Sequence, residues 1–331
     1  MTGGEAPPLL SLRSVTVDYL TERGKVRAVD GVDLDVRPGE IVGLAGESGS
    51  GKSTLVLAVT RLIPEWVGRT SGTIEIEGRD VTALSPQAMR TLRWKSIALV
   101  FQGAMNSLNP VTTIERQIID TIVAHGEHDM ARIHERAREL MDLVEIDRAA
   151  LRRYPHELSG GMRQRAVIAI ALALNPRILI LDEPTTALDV VVQRQILTKL
   201  VDLQRRLAFA ILFVTHDLSV LLELCSRIAV MYGGRLMEVS EAEALATLPL
   251  HPYTKGLLRS FPTLTGPRVR LAGIPGSPPA ITALPPGCPF HPRCAFAQPR
   301  CSASVPALRE WGGGQRLVAC HRGEEALHLG Q

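Results

Sequence analysis

Aromatic residues are scarce in this chain: Phe, Trp and Tyr make up 4% of its 331 residues, against 45% hydrophobic and 21% charged. An ordinary soluble protein with a mostly aliphatic core is expected. At roughly 150 residues per domain, the length suggests about two domains. A dominant sign of charge is also lacking. The chain has 37 basic and 34 acidic residues, which divide into −1 over the first 260 positions and +4 over the remainder. Nucleic-acid binding usually shows as a basic stripe with a domain pI above about 9. Here the pI is 8.7 with scattered positives, so no nucleic-acid partner is predicted.

Long apolar runs are missing too. A membrane span needs about 18 consecutive apolar residues. The longest uncharged run, Leu271–Phe290, carries six prolines and three glycines, so it cannot be a spanning helix. The opening MTGGEAPPLL lacks the positive and apolar regions of a secretory signal, which predicts a cytosolic chain whose membrane association runs through a partner. Cysteine is rare but unevenly placed. Four of the five (Cys288, Cys294, Cys301 and Cys320) fall in the last 44 residues. Half of the 22 prolines lie in 262–331, so a domain boundary is expected after Phe261.

Upstream of that point, short β-rich runs alternate with helical patterns. The strand candidates are Ser14–Tyr19, Glu40–Gly46, Gly72–Glu77, Ser96–Gln102, Arg177–Asp182 and Phe209–His216. Such alternation predicts an α/β fold. The rhythm stops between Phe101 and Leu158, where 114–145 reads as helical, so a helical insertion over about 103–165 is expected. Arg227–Ser240 reads as a hairpin around Gly233-Gly234.

The strongest chemical signal is Gly46-Glu47-Ser48-Gly49-Ser50-Gly51-Lys52-Ser53-Thr54, a P-loop between a strand and a helix. Its glycines let backbone N–H groups converge on phosphate oxygens at a helix N-terminus. Lys52 is expected to reach the β- and γ-phosphates and the Ser53 hydroxyl to ligate Mg²⁺. A second apolar strand, Arg177–Asp182, ends on Asp182-Glu183. Asp182 would hold Mg²⁺ through water and Glu183 would polarise the attacking water. Alone, that carboxylate pair also fits a solvated turn. Likewise Ser159-Gly160-Gly161, opening the helical run AVIAIALAL, fits either an anion site or an N-cap with a tight turn.

Together these motifs carry a resemblance. The order P-loop, LSGGM, LILDEP, Thr186-Ala187-Leu188-Asp189, Thr215-His216-Asp217 resembles the nucleotide-binding subunit of an ABC transporter. The resemblance implies a P-loop ABC ATPase domain over 1–261, with a mixed sheet core and a helical subdomain. It also implies a head-to-tail dimer in which each ATP lies between the P-loop of one subunit and the Ser159-Gly160-Gly161 signature of the other. By it, Gln102 is the Q-loop residue on the Mg²⁺ and water side, and His216 the switch histidine contacting the γ-phosphate. Asp189 is the D-loop residue acting across the dimer, and Tyr19 the aromatic that stacks on adenine. For Tyr19 a packed edge tyrosine is the rival reading.

Leu250–Leu258, Ile274–Pro279 and the cysteine tail look like the oligopeptide/dipeptide importer branch, a likeness running from about Leu9 to Arg322. Nickel importers share much of this pattern. The branch implies ATP-driven peptide uptake, two transmembrane permeases, an extracytoplasmic solute-binding protein and a place on the cytoplasmic face of the membrane. Met162 with Arg163-Gln164-Arg165 looks like the first of two ATPase subunits, which implies a heterodimer. DNA-repair and chromosome-structuring ATPases would need long coiled coils between P-loop and signature, and translation-associated ones two cassettes.

The four tail cysteines run C-x5-C-x6-C-x18-C, with His291 and His321 interspersed. A reducing cytosol disfavours disulfides. Zinc sites usually show cysteine pairs two to four residues apart, and a [4Fe–4S] cluster tolerates wider spacing. From chemistry alone, iron–sulfur, zinc and unligated thiols stay open. The importer resemblance implies the iron–sulfur cluster, in an irregular Pro/Cys-rich domain over 262–331. His291 and His321 are expected to bond nearby groups, and Cys225 to be a buried small hydrophobe.

Overall fold

The computed structural model describes residues 6–22, 24–185, 188–260, 273–311 and 316–322. The first elements are β1 (Leu10–Thr21), β2 (Gly24–Val36), β3 (Ile41–Ala45), α1 (Lys52–Val59), β4 (Gly68–Ile76), β5 (Arg79–Asp80) and α2 (Pro86–Leu92). Next come β6 (Ile97–Val100), α3 (Ile114–Val123), α4 (Met130–Leu143), α5 (Gly160–Ala171), β7 (Ile178–Asp182), α6 (Val190–Leu207) and β8 (Ala210–Thr215). The chain continues through α7 (Leu218–Leu224), β9 (Arg227–Tyr232), β10 (Arg235–Glu241), α8 (Ala242–Thr247) and α9 (Pro252–Arg259). Last are α10 (Pro299–Ala303), β11 (Arg309–Glu310) and β12 (Leu317–Val318). All six strand candidates and the hairpin are strands, so the fold is the mixed α/β type expected.

The chain divides into two compact units. One takes in the N-terminal residues to Ser11, Asp35–Glu40 and Glu75–Leu212; the other takes in Leu12–Leu34, Ile41–Ile74 and everything from Phe213 onward. In the first unit, β6 and β7 pair in parallel from Ile97↔Ile178 to Val100↔Leu181. Every residue of β7 is buried, which is why its run is continuously apolar instead of alternating. The helical insertion is present as α3 and α4. Ile114, Ile118 and Ile122 face inward from α3, and Ile133, Ala137, Leu140 and Met141 from α4, at the three- and four-residue spacing of one helix face. Side chains of Thr113 and Asp129 cap the two N-termini.

In the second unit, β3 pairs in parallel with β9, and β9 turns antiparallel into β10. Gly233 (φ 55°) and Gly234 (φ 79°) make that turn, both in the left-handed region a tight hairpin requires. The proline-rich tail joins the same sheet. Its β12 pairs with β10 through Glu238↔Val318 and Val239↔Leu317, and β11 pairs with β12. The same unit carries the sheet order β2-β1-β4. The stretch 261–272, where the boundary is expected, lies outside the described residues.

Candidate functional site

In the second unit the loop after β3 wraps the start of α1. Gly46 (φ 154°) and Gly51 (φ 102°) hold backbone angles that L side chains rarely adopt. A Cβ at Gly46 would collide with the carbonyl oxygen of Met231, and one at Gly51 would stand 2.5 Å from that of Ala28. Both positions therefore need glycine for space as well as angle. Gly51 caps α1 without any side-chain hydrogen bond, at a helix N-terminus whose dipole favours an anion. Lys52 is only 6% exposed. Its ammonium donates to the carbonyls of Gly46 (2.7 Å) and Glu47 (3.0 Å) and to Ser50 Oγ (3.4 Å). Ser48, Gly49 and Ser53 are exposed. Tyr19 donates its hydroxyl hydrogen to Thr54 Oγ1 at 3.2 Å, which joins the expected adenine-side residue to the last residue of the motif. His216 is exposed directly after β8.

In the first unit, Asp182 ends β7 and is 5% exposed. Glu183 follows with φ 46°, a left-handed angle uncommon outside glycine. Gln102 Nε2 donates to Glu183 Oε2 at 2.8 Å. A separate cleft is lined by Ser159, Gly160, Gly161 and Asp189, with Arg165 and Gln195 at its edge. Ser159 Oγ accepts the N–H of Met162 (3.3 Å), and Asp189 Oδ1 accepts that of Val192 (2.9 Å), so each caps a helix. A Cβ at Gly161 would lie 2.8 Å from Val192, and glycine there lets α5 and α6 approach closely. Thr186 and Ala187 of the following motif lie outside the described residues.

The four tail cysteines converge. Cys288, Cys294, Cys301 and Cys320 line one small cavity together with Phe290 and Phe296. Burial, reinforced by the neighbouring thiols, pushes Cys288 up to about 12 and raises Cys294 and Cys320. These sulfurs are thus protonated unless a cation compensates them. Yet among the described residues no group of three His, Cys, Asp or Glu side chains is placed to hold a metal ion. His291 Nδ1 bonds the carbonyl of Cys288 (2.9 Å) and His321 Nε2 that of Ser304 (2.8 Å), so both rings bond nearby backbone. Cys225 is buried against the position of Gly43.

Sequence reasoning missed a set of residues between tail and P-loop. Arg293, beside Cys294, forms a two-pronged ion pair with Glu47 of the P-loop at 2.6 and 3.1 Å. Tyr253 Oη accepts the N–H of Glu47 at 2.9 Å. The partners in the ion pair are 246 residues apart, so no local spacing could announce them.

Comparison with known proteins agrees with this geometry. Residues 29–186 match the ABC transporter family, and 237–301 match the oligopeptide/dipeptide transporter C-terminal region. The probable peptide ABC transporter ATP-binding protein y4tR of Sinorhizobium fredii is 43% identical over 98% of both chains. The oligopeptide transport ATP-binding protein OppD of Escherichia coli is 41% identical over 98% of this chain and 96% of its own. Among solved structures, the dimeric bacterial ABC transporter cassette MJ0796 is 29% identical with a TM-score of 0.62, covering 70% of this chain and 98% of that one. The same cassette is known in a post-hydrolysis state bound to ADP and Pi, at a TM-score of 0.63, 29% identity and the same coverage. The chain belongs to the family of ABC transporter ATP-binding subunits of oligopeptide/dipeptide importers.

Proposed function

We propose that this chain is the ATP-hydrolysing subunit of an importer that drives peptides across the cytoplasmic membrane. The observation that carries the reading is the joint match of cassette and oligopeptide/dipeptide C-terminal region in one chain, with relatives similar over nearly its whole length. Among the described residues no helix is long and apolar enough to cross a membrane. The chain would act at the cytoplasmic face through two permeases, supplied by an extracytoplasmic binding protein, in a dimer with a second, related ATPase subunit. Uptake of labelled peptides by cells with and without the chain tests this. Loss of peptide uptake is expected; retained peptide uptake with loss of nickel or another solute would overturn the substrate class.

The P-loop and Asp182-Glu183 take their roles from their own chemistry, and the other site residues take theirs from the family resemblance. The amides of Gly46, Ser48, Gly49, Ser50 and Gly51, the Lys52 ammonium and the Thr54 region receive the phosphates, and Tyr19 supports adenine. Mg²⁺ accompanying the nucleotide would be held by the Ser53 hydroxyl, Asp182 and Gln102. Glu183 takes the proton of the attacking water and Gln102 orients that carboxylate. His216 senses the γ-phosphate, while Ser159, Gly160, Gly161 and Asp189 act on the nucleotide of the partner subunit. The ATPase part spans 1–261 and the cysteine-bearing part 262–331 in this reading.

We propose that the cavity lined by Cys288, Cys294, Cys301 and Cys320 holds a [4Fe–4S] cluster, the convergence of the four thiols on one cavity supporting the reading. A cluster takes one thiolate per iron, so its ligands line a cavity without touching. Bound there, it would supply the positive charge that thiolates at these desolvated positions require. Anaerobically purified protein is expected to hold iron and sulfide in near-equal amounts.

A further inference from the structure

The P-loop is gripped from outside its own motif, at Glu47. Three groups of that residue are engaged. Its N–H donates to Tyr253 Oη at 2.9 Å, its carbonyl accepts Lys52 Nζ at 3.0 Å, and its carboxylate takes both prongs of Arg293. Arg293 is itself fixed by its surroundings. Its Nε donates to the carbonyl of Pro275 (2.9 Å), and Nη2 also reaches those of Ile274 (3.4 Å) and Gly276 (3.3 Å). Nη1 bonds Tyr232 Oη at 3.2 Å as well. The Arg293 side chain is 6% exposed and that of Glu47 is 25% exposed, so water screens the pair weakly.

The grip is continuous with the cysteine cavity. A single turn, His291–Arg293, separates Cys288 from Cys294, and the N–H of Arg293 bonds the carbonyl of Phe290 at 3.0 Å. Phe290 lines the cavity and packs edge-on against Tyr232, with ring centres 5.4 Å apart, and 5.2 Å from Tyr253. A rigid guanidinium, anchored on tail carbonyls, therefore sets where Glu47 sits. Because the carbonyl of Glu47 also holds the lysine, a shift of Glu47 displaces the phosphate-binding ammonium with it.

We infer that Arg293 is a positioning residue for the P-loop, through which the cysteine-bearing tail sets the affinity of this chain for nucleotide. The inference rests on reading the P-loop as the ATP site. A pure tail anchor would hold the described tail residues in place and leave nucleotide affinity alone; a positioning residue changes affinity, and does so only through Glu47.

The test is a titration of the full-length chain with Mg²⁺ and a fluorescent ATP analogue, using Arg293→Met, Arg293→Lys, Glu47→Gln and the Met/Gln double variant. Arg293→Met and Glu47→Gln are each expected to weaken binding about ten-fold. The double variant should bind no more weakly than the worse single one, because both break one linkage. Arg293→Lys should recover part of the loss. Should Arg293→Met fail to fold, the cycle runs on Arg293→Lys, whose effect must vanish in the Glu47→Gln background. Singles that melt cooperatively yet bind within two-fold of wild type would overturn the inference, as would losses that multiply in the double variant. A wild-type chain that binds no analogue would overturn the ATP-site reading itself, and this inference with it.

Discussion

Gln102 Nε2 donates to Glu183 Oε2 at 2.8 Å, linking the residue two places beyond β6 to the residue that follows β7. The amide is an orienting partner: it holds one oxygen of the carboxylate that is proposed to accept the proton. Gln102→Ala should therefore lower kcat by about ten-fold while leaving nucleotide affinity within about two-fold. Steady-state ATP turnover measured beside nucleotide binding checks this. An equal fall in affinity would make the proposed Mg²⁺ contact of Gln102, and not its hold on Glu183, the larger contribution.

Gly46 offers a purely steric prediction. Its φ of 154° and the collision awaiting a Cβ at Met231 mean that Gly46→Ala strains the loop or displaces the end of β9. The cost should be about 1–3 kcal/mol of stability, read by denaturant unfolding, with weakened nucleotide binding alongside. The same change at Gly49, where a Cβ meets open space, should spare neighbouring packing and cost only the backbone strain of φ 78°.

His251 makes stability depend on pH. The ring is buried, and loss of hydration lowers its pKa from 6.5 to about 3. Its Nδ1 accepts the N–H of Tyr253 at 3.0 Å and caps α9, which requires the neutral ring. Unfolded His251 takes up a proton below pH 6.5 that the folded protein refuses until about pH 3. Its contribution is therefore complete above 6.5 and is lost as pH falls through that window. Buried Glu238, raised by desolvation, contributes in the opposite sense, so the comparison must be made against a variant. His251→Asn keeps an N-cap acceptor and removes the titration. Between pH 7 and 5 the wild type should lose about 2 kcal/mol more stability than His251→Asn, measured by denaturant unfolding at both pH values.

Much of this was legible in the sequence because the signals were local. The P-loop, the β7 run ending on Asp182-Glu183 and Ser159-Gly160-Gly161 each sit within a few residues of the element that displays them. The helical insertion followed from the three-to-four spacing of Ile114, Ile118 and Ile122. What was illegible is non-local. β12 is two residues long and pairs with β10 some 80 positions earlier, so no periodicity marks it. β2 was legible yet not picked out: Val32-Asp33-Leu34-Asp35-Val36 alternates buried apolar with more exposed charged positions at the two-residue period of a strand. The Arg293–Glu47 pair and the engagement of Lys52 by loop carbonyls depend on side-chain placement that spacing does not encode.

The cysteine cavity predicts a metal content. Cys301→Ser, at a buried cavity position, should remove iron and sulfide together from anaerobically purified protein. If the proposed cluster staples the tail, the same variant should also lower the thermal midpoint. Zinc without iron in the wild type would defeat the cluster reading. Unchanged iron in Cys301→Ser would remove that cysteine from the ligand set.

The most direct test of the central claim is ATP turnover by the assembled transporter carrying Glu183→Gln, measured in vesicles supplied with peptide. On the proposed role of Glu183 as proton acceptor, the variant should bind ATP within about three-fold of wild type. Peptide-stimulated turnover should fall by about 1,000-fold. Turnover at the wild-type rate would contradict the assignment of Glu183 and, with it, the account of this chain as the ATPase that powers import.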